Sequence, residues 1–458
     1  EKLSQISRTI LQLFLLENSK LTYGVIDYYI EENELDIRNS INELLSTYMI
    51  QASSGEYIMN DMSREYISLR YPPSNEFVKS VFSKRKTLKD MLQQVKVYSE
   101  QAPFNPNTVS SKLSDVDKQL ATYHLRNALK CGKEKCWNEC QVSINKAISI
   151  EPDFFEVYKV KAFLEAEKGE LYGAINNYNI ALQKCNTDKE RAIVCYLFSV
   201  FYTVKMQDID NALEYIEKAD KYLPNTNEII LEKVRVYTFI GKYDEAEQLW
   251  IKAKELDVHP NLRTLNIMAN RYMDLKRRQA RILQNRDYIE RFKLLKQGIS
   301  SLDEVGSIDD KTAVTLLKLL TDLSYFYYYN EAVDLLMDTL EKYSYAISKI
   351  EQKNKERIIN NLSIHKGEID NKKYNVIYTN LSEYKEEASN ITDENEGVVV
   401  KMKETYGFIS NAKHPPKKGL FFSLNNAYEN IKVGDRVIFE TYIGSKGEAA
   451  RKIKKYRE

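Results

Sequence analysis

Gly169-Glu170-Leu171-Tyr172-Gly173-Ala174-Ile175-Asn176-Asn177-Tyr178-Asn179-Ile180-Ala181-Leu182 and Gly241-Lys242-Tyr243-Asp244-Glu245-Ala246-Glu247-Gln248-Leu249-Trp250-Ile251-Lys252-Ala253-Lys254 are two copies of one pattern. A glycine turn leads into a helix with two alanines seven residues apart and a large aromatic, Tyr178 or Trp250, between them. Small residues at that spacing share a helix face and let a second helix approach closely, while the aromatic fills the gap to the next unit. Cys140 with Ala147, and Ala212 with Ala219, occupy the same two positions. Successive pairs are 34, 38 and 34 residues apart, so one unit carries a four-residue insertion, expected near Thr187 to Glu190. Ala128 and Ala162 supply the small residue of the first helix of a unit, and Pro152, Pro224 and Pro260 end units. One unit cannot bury its apolar face alone, so several must stack.

The period resembles that of tetratricopeptide repeats. The resemblance implies a right-handed α-solenoid over residues 120–390, roughly six or seven helix pairs, with a concave surface that holds a protein or peptide partner. Beyond Pro260 the pattern loosens. Leu265, Met268, Tyr272 and Leu275 form a helical stripe; Ala313 to Tyr328 and the helix opening at Asn330 make a further pair; Lys353 to His365 and Lys372 to Glu387 make a terminal one. Arg271, Lys276, Arg277, Arg278, Arg281, Arg286, Arg291, Lys293 and Lys296 crowd one segment, interrupted by Asp274, Asp287 and Glu290. A charged solvent face is the usual meaning of such a run, and a grip on phosphates is the alternative. Tyr325, Tyr327, Tyr328 and Tyr329 read as packing between repeats, with an aromatic partner patch as the alternative. His124, Cys131, Cys136 and Cys140 carry atoms that zinc prefers. Cys140, however, occupies the small buried position and no Cys-x-x-Cys pair exists, so core packing and no metal are expected.

At the N-terminus, Ile6 to Leu16, Leu21 to Glu32 and Asp36 to Met49 show helical periodicity, with Asp36 placed as an N-cap. Ile50 to Ile58 then reads as two short strands around a Ser-Gly turn. Three helices and a hairpin predict a winged helix over residues 1–70. The third helix carries one Arg38 against Asp36 and Glu43, too little positive charge for reading DNA. The segment from Tyr57 to Ile67 resembles the end of the winged-helix module that follows the nucleotide-binding core in STAND-type signalling NTPases. That resemblance implies a sensor part of a larger switch, whose catalytic region would lie upstream. Residues 71–119 read as a helical connector, with Ser74 capping its helix after Pro72-Pro73.

The C-terminal segment, 395–458, has a different grammar. Short alternating runs predict strands at Gly397 to Lys403, Tyr406 to Ser410, Gly419 to Ser423, Arg436 to Ile443 and Ala449 to Ile453. From Gly397 onward there are 13 Lys and Arg against 6 Asp and Glu, so the rest of the chain is mildly acidic, given a total net charge of +1. Tyr406 and Phe408 share a strand face that Phe421 joins from the next strand; Val399, Ile409, Val437 and Phe439 read as interior. The runs Gly397-Val398-Val399-Val400-Lys401, Tyr406-Gly407-Phe408-Ile409 and Leu420-Phe421-Phe422-Ser423 together resemble a cold-shock domain. The resemblance implies a small OB-type barrel that stacks unpaired bases of single-stranded RNA or DNA. Tyr406, Phe408 and Phe421 would be the stacking rings, Ser423 stands where the family stacks a histidine, and Lys401, Lys403, Lys417, Lys418 and Arg436 would face phosphates. Met402 and Lys403 occupy the region of the family's first aromatic pair, which lowers the expected affinity.

The fold class expected is thus mostly α: a winged helix, then a TPR-like solenoid, then a small all-β barrel of cold-shock type. The 458 residues, 43% hydrophobic and 29% charged, suit several globular cores. No apolar run approaches the ~20 residues a membrane helix needs, no signal-peptide pattern is present, and five cysteines make no disulfide framework. A cytoplasmic chain without cofactor is expected. Four histidines form no catalytic set and no phosphate-binding loop occurs, so a non-enzymatic sensor scaffold in bacterial signalling or antiviral defence is expected. A protein-interaction scaffold with a purely structural barrel is the alternative.

Overall fold

The computed structural model describes residues 3–17, 20–97, 103–109, 115–283, 287–382, 395–403, 406–411, 414, 419–424, 427, 431–444 and 447–456. It divides into two compact units, Glu1–Val258 and His259–Glu458.

In the first unit, α1 (Gln5–Glu17), β1 (Leu21–Thr22), α2 (Tyr23–Ile30), α3 (Glu34–Ser46), β2 (Ile50–Ser53) and β3 (Glu56–Met59) follow the helix and hairpin order of a winged helix. The three strands form one antiparallel sheet, β1-β3-β2. Ser54 and Gly55 both have positive φ, the conformation a two-residue hairpin turn requires. Ile10, Leu13, Phe14, Ile26, Ile37, Ile41 and Leu44 bury the apolar stripes of the three helices against one another. The N-cap of α3 is Asn33, whose Oδ1 accepts from the Leu35 N–H at 2.9 Å. Asp36, expected as the cap, lies inside the first turn instead, where its charge still favours the helix's positive end. The helices α4 (Asp61–Arg70) and α5 (Asn75–Val97) follow, and Ser74 Oγ accepts from the Phe77 N–H at 3.2 Å.

Four antiparallel helix pairs complete this unit: α6 (Val116–Lys133) with α7 (Trp137–Ile150), α8 (Phe155–Lys168) with α9 (Leu171–Lys184), α10 (Asp188–Phe201) with α11 (Ile209–Tyr222), and α12 (Asn227–Ile240) with α13 (Tyr243–Leu256). They are tetratricopeptide-type repeats. Cys140 and Ala147, Ala174 and Ala181, Ala212 and Ala219, and Ala246 and Ala253 are all buried on the second helices. Gly169 and Gly241 end α8 and α12 in the left-handed region, where a Cβ would be strained. The extra residues of the long step are not near Thr187. Thr187 and Glu190 form a capping box that starts α10, and the insertion is a π-helical turn, Tyr202–Met206, closing the same helix. Around that turn Phe198 sits among Tyr178, Tyr202 and Tyr215, with centroid distances of 4.8, 4.8 and 4.2 Å. A bulge there gives the aromatic cluster room.

The second unit contains α14 (Leu262–Ile282), α15 (Tyr288–Ser300), α16 (Asp310–Ser324), α17 (Asn330–Lys342), α18 (Ser344–Ser348), α19 (Gln352–Ile364) and α20 (Asn371–Leu381). Its helical core is leucine-rich, with Leu316, Leu317, Leu319, Leu320 and Leu323 of α16 all buried. The short α18 has no counterpart in the sequence expectation.

The same unit ends in five strands, β4 (Glu396–Met402), β5 (Tyr406–Ser410), β6 (Leu420–Ser423), β7 (Arg436–Gly444) and β8 (Gly447–Lys455), closed into a barrel of order β4-β5-β6-β8-β7. Among the pairings of these five strands in the described residues, β6–β8 is the parallel one, and a single bridge from Ala427 to Ile453 runs parallel beside it. Val399, Ile409, Val437 and Phe439 lie inside, joined by Leu420, Phe422 and Ile453. The protein is mostly helical, with a small closed barrel consistent with an OB-like fold. Among the described residues no helix is long and apolar enough to cross a membrane.

Candidate nucleic-acid interface

Strand alternation builds the barrel's aromatic face. In β5, Gly407 and Ile409 point inward, which turns Tyr406 and Phe408 outward; in β6, Leu420 and Phe422 point inward and Phe421 outward. Gly407 is required by its neighbour's size: a Cβ there would come within 2.7 Å of the Phe422 ring and 2.6 Å of Met402 Sδ. The register sets Phe408 opposite Phe421 and Tyr406 opposite Ser423. The three rings meet as one cluster, with centroids 5.8 Å apart for Tyr406 and Phe408, 5.5 Å for Tyr406 and Phe421, and 6.0 Å for Phe408 and Phe421. Phe421 is 40% exposed and the other two are half-buried.

Two of the expected cations flank these rings. Lys401 on β4 pairs in register with Phe408, and the Lys403 ammonium lies 5.7 Å from the Tyr406 ring centroid. The Lys403 N–H donates to the Tyr406 carbonyl at 2.7 Å, so the turn holds that lysine beside its ring. Among the described residues no carboxylate pairs with Lys401 or Lys403. Arg436 is differently placed. It stands on β7, its guanidinium donates to Glu396 Oε2 at 3.0 Å, and it lies 4.3 Å over the Tyr456 ring. Ser423 is half-buried beside Tyr406, and Lys417 and Lys418 lie outside the described residues.

One further side chain of the barrel escaped the sequence reading. The His414 N–H donates to Asn411 Oδ1 at 2.9 Å, and His414 Nε2 lies 3.3 Å from Glu448 Oε2, adjacent to Ala449, the β8 partner of Phe421. Its only sequence signal was its scarcity, one of four histidines. Three basic side chains of β8 are paired locally: Arg451 and Lys452 with Glu440 at 3.3 and 2.9 Å, Lys455 with Asp435 at 2.9 Å. The Lys452 ammonium in turn holds the Glu440 carboxyl below its usual range.

The N-terminal segment spends the basic side chain of its third helix on contacts within the chain. Arg38, the single basic residue of α3, lies 4.1 Å over the Tyr23 ring and donates to the Ser149 carbonyl at 2.6 Å, at the end of α7. Asp117 of α6 accepts the Gly24 N–H at 3.0 Å and the Thr22 hydroxyl, fastening α2 to the first repeat. A side chain on Gly24 would strike that carboxylate at 2.6 Å. Residues 103–109 lie on the first helices of the next repeats: Phe104 packs edge-on against Tyr196 of α10 at 5.0 Å, and Lys159 of α8 donates to the Thr108 carbonyl at 3.1 Å.

The basic run of α14 and α15 is laced with carboxylates. Asp274 pairs with Arg277 at 2.7 Å and Arg278 at 3.0 Å, Asp322 with Arg281 at 2.6 Å, and Glu331 with Lys296 at 2.7 Å. Arg286 lies outside the described residues. Of the tyrosine group, Tyr327 stacks on His365 at 3.6 Å and the Tyr329 hydroxyl donates to Glu331 at 2.9 Å, while Tyr325 and Tyr328 are exposed. Cys140 Sγ lies 3.2 Å from the Ala128 carbonyl, in the tight seam between α6 and α7.

No protein-family model matches the chain, and no curated protein matches it. Several solved structures of repeat proteins resemble it at low identity. The apo form of the quorum sensor NprR from B. thuringiensis is 16% identical with a TM-score of 0.37, over 82% of this chain and 98% of that one. A tetratricopeptide repeat protein from Parabacteroides merdae is 15% identical with a TM-score of 0.35, over 58% of this chain and 100% of its own. The STAND protein PH0952 from Pyrococcus horikoshii, which has a tetratricopeptide repeat sensor, is 14% identical with a TM-score of 0.33, over 82% of this chain and 62% of that one.

Proposed function

We propose that this chain is a non-catalytic recognition scaffold: its repeats hold a protein or peptide segment and its barrel, read as a cold-shock-like OB domain, stacks single-stranded RNA or DNA. The observation that carries the second half is the cluster of Tyr406, Phe408 and Phe421 on one outward face, with Lys401 and Lys403 beside it and, among the described residues, no carboxylate paired with either. Three grouped rings on a barrel surface are costly apolar display unless something flat covers them, and a base does so for ~1–3 kcal/mol each. Two lysines then supply phosphate contacts at a spacing set by the strands. In this reading residues 1–70 form a winged helix, 71–119 a connector, 120–390 the repeat arm and 395–458 the strand reader. The winged-helix order ahead of the repeats supports a place as the sensor part of a larger cytoplasmic switch of STAND type in bacterial signalling or defence.

Titration of the full chain with labelled single-stranded oligonucleotides, followed by fluorescence anisotropy, tests this. Replacing Tyr406, Phe408 and Phe421 together by alanine is expected to weaken binding by more than about hundredfold. Equal affinity of the two proteins sinks the stacking model. A second reading, in which the barrel is structural and the whole chain a protein-interaction scaffold, is favoured by the internal pairing of Arg436, Arg451, Lys452 and Lys455. Absence of oligonucleotide binding in both proteins would select it.

A further inference from the structure

A second charged site lies within the helical part of the His259–Glu458 unit, away from any residue assigned above to strand binding. The helices α14, α16 and α19 pack side by side and line a cleft of about 410 Å³. Five cations from three helices converge there: Arg277 and Arg281 of α14, Lys318 of α16, and Lys353 and Arg357 of α19. Leu317 and Val314 form its apolar floor, and no carboxylate or aromatic ring lines it among the described residues.

The two arginines of α14 are fixed in place. Asp322 takes Arg281 through two bonds, at 2.6 and 2.7 Å, and Asp274 takes Arg277 at 2.7 Å. Lys318, Lys353 and Arg357 have no carboxylate partner among the described residues. Elsewhere in the same unit Lys293, Lys296, Lys342 and Lys373 each pair with a carboxylate. Lys353 also stands in the first turn of α19, whose N-cap Glu351 makes no side-chain capping bond, so the positive end of a 13-residue helix adds to the same cleft. Two carboxylates against five cations leave a local excess that a multivalent anion would satisfy.

We propose that this cleft binds a small molecule carrying two or more phosphate groups. Guanidinium and ammonium groups converging from three directions match the oxygens of linked phosphates, which one carboxylate could not span. The volume lies within the range of small-molecule sites, about 300–1,000 Å³. With no ring to stack a base, the phosphates supply the recognition, and a nucleoside polyphosphate and an inorganic polyphosphate present the same chemistry. The site is independent of the barrel.

Isothermal titration of the full chain in about 0.1 M salt, with inorganic tripolyphosphate, ATP and adenosine as separate titrants, tests the assignment. One saturable site for tripolyphosphate and none for adenosine is the expected result. ATP equal to tripolyphosphate means that phosphates alone are read, and ATP binding more tightly means that the apolar floor seats the nucleoside as well; both support the site. The exposed residues Lys318, Lys353 and Arg357 can be changed together to alanine without disturbing a core, which circular dichroism confirms, and affinity is expected to fall by more than about tenfold. The Tyr406→Ala, Phe408→Ala, Phe421→Ala variant should bind tripolyphosphate normally. No saturable binding of either phosphate compound, undiminished binding in the cleft variant, or tighter binding of a polyglutamate peptide than of tripolyphosphate each overturns the proposal.

Discussion

The two stretches of helix pairs pack by different rules. In the first unit, Ala174 with Ala181, Ala212 with Ala219, and Ala246 with Ala253 bring helix backbones close at a regular interval. In the second, α17 keeps Ala332 and Thr339 at that spacing, but α20 presents Tyr374, Ile377 and Leu381, and α16 fills its surroundings with five leucines. Regular small residues leave little space between helices, and residues 103–109 lie on α8 and α10, the first helices of two repeats. Bulky, irregular seams set helices further apart and leave a cleft that charged side chains can line. Regularity favours stability and irregularity makes room for a ligand.

The largest effect expected from this contrast is at Phe198, fully buried at the centre of the aromatic cluster beside the π-helical turn. Phe198→Ala should cost ~3–5 kcal/mol in the first unit, read by hydrogen exchange of α8 to α11, with the exchange of α16 and α17 unchanged. Loss of protection in both units alike would erase the distinction.

A smaller effect separates the seams themselves. Ala219→Leu inserts bulk at a fully buried position of α11 and should cost ~1–3 kcal/mol, whereas the volume-conserving Leu320→Met in α16 should cost less than ~1.5 kcal/mol. Denaturant melts of both variants check the ranking, and a tolerant Ala219 would show that close approach does not hold the repeats.

The smallest is a pH dependence confined to the first unit. Burial, reinforced by Asp115, pushes the Glu151 carboxyl up to about 7, and burial lifts Asp117 to about 6 against the opposing bonds from Thr22 and Gly24. Burial also lowers His124 from 6.5 to about 4, with Lys146 adding to the shift. At pH 6.5 the histidine is half protonated in the unfolded state and neutral in the folded one; above that its contribution fades and the acids dominate. The folded chain then holds more protons than the unfolded one, so stability falls as pH rises through 7. Below 6.5 the unfolded state protonates His124 and offsets the gain. Thermal melts between pH 6.5 and 8 should show the decline, and Glu151→Gln should flatten it. A flat profile in the unaltered chain would contradict the burial of these acids.

Much of this is legible in the sequence. The small-residue pairs announced the repeats because close helix packing demands them locally, and Tyr406, Phe408 and Phe421 announced a shared face because strands alternate. The insertion was misplaced for a physical reason: Thr187 to Glu190 resembles a loop by composition, yet its side chains satisfy the open N–H groups of a helix start. A π-helical turn leaves no comparable signature in the sequence. Arg436 read as a phosphate ligand because its partners, Glu396 and Tyr456, are 40 residues before it and 20 after.

The sequence by itself determined which segments are helical and which are strands, the period of the repeats and which barrel rings face outward, since these depend on neighbours within a turn or two strands. Only the tertiary structure decided which charges are spent and which are free. Arg38 and Arg436 are consumed by contacts far along the chain, while Lys318, Lys353 and Arg357 meet Arg277 and Arg281 in one cleft. An ion pair acts over a few ångströms of space and carries no constraint on sequence separation, so composition counts charges but packing assigns them.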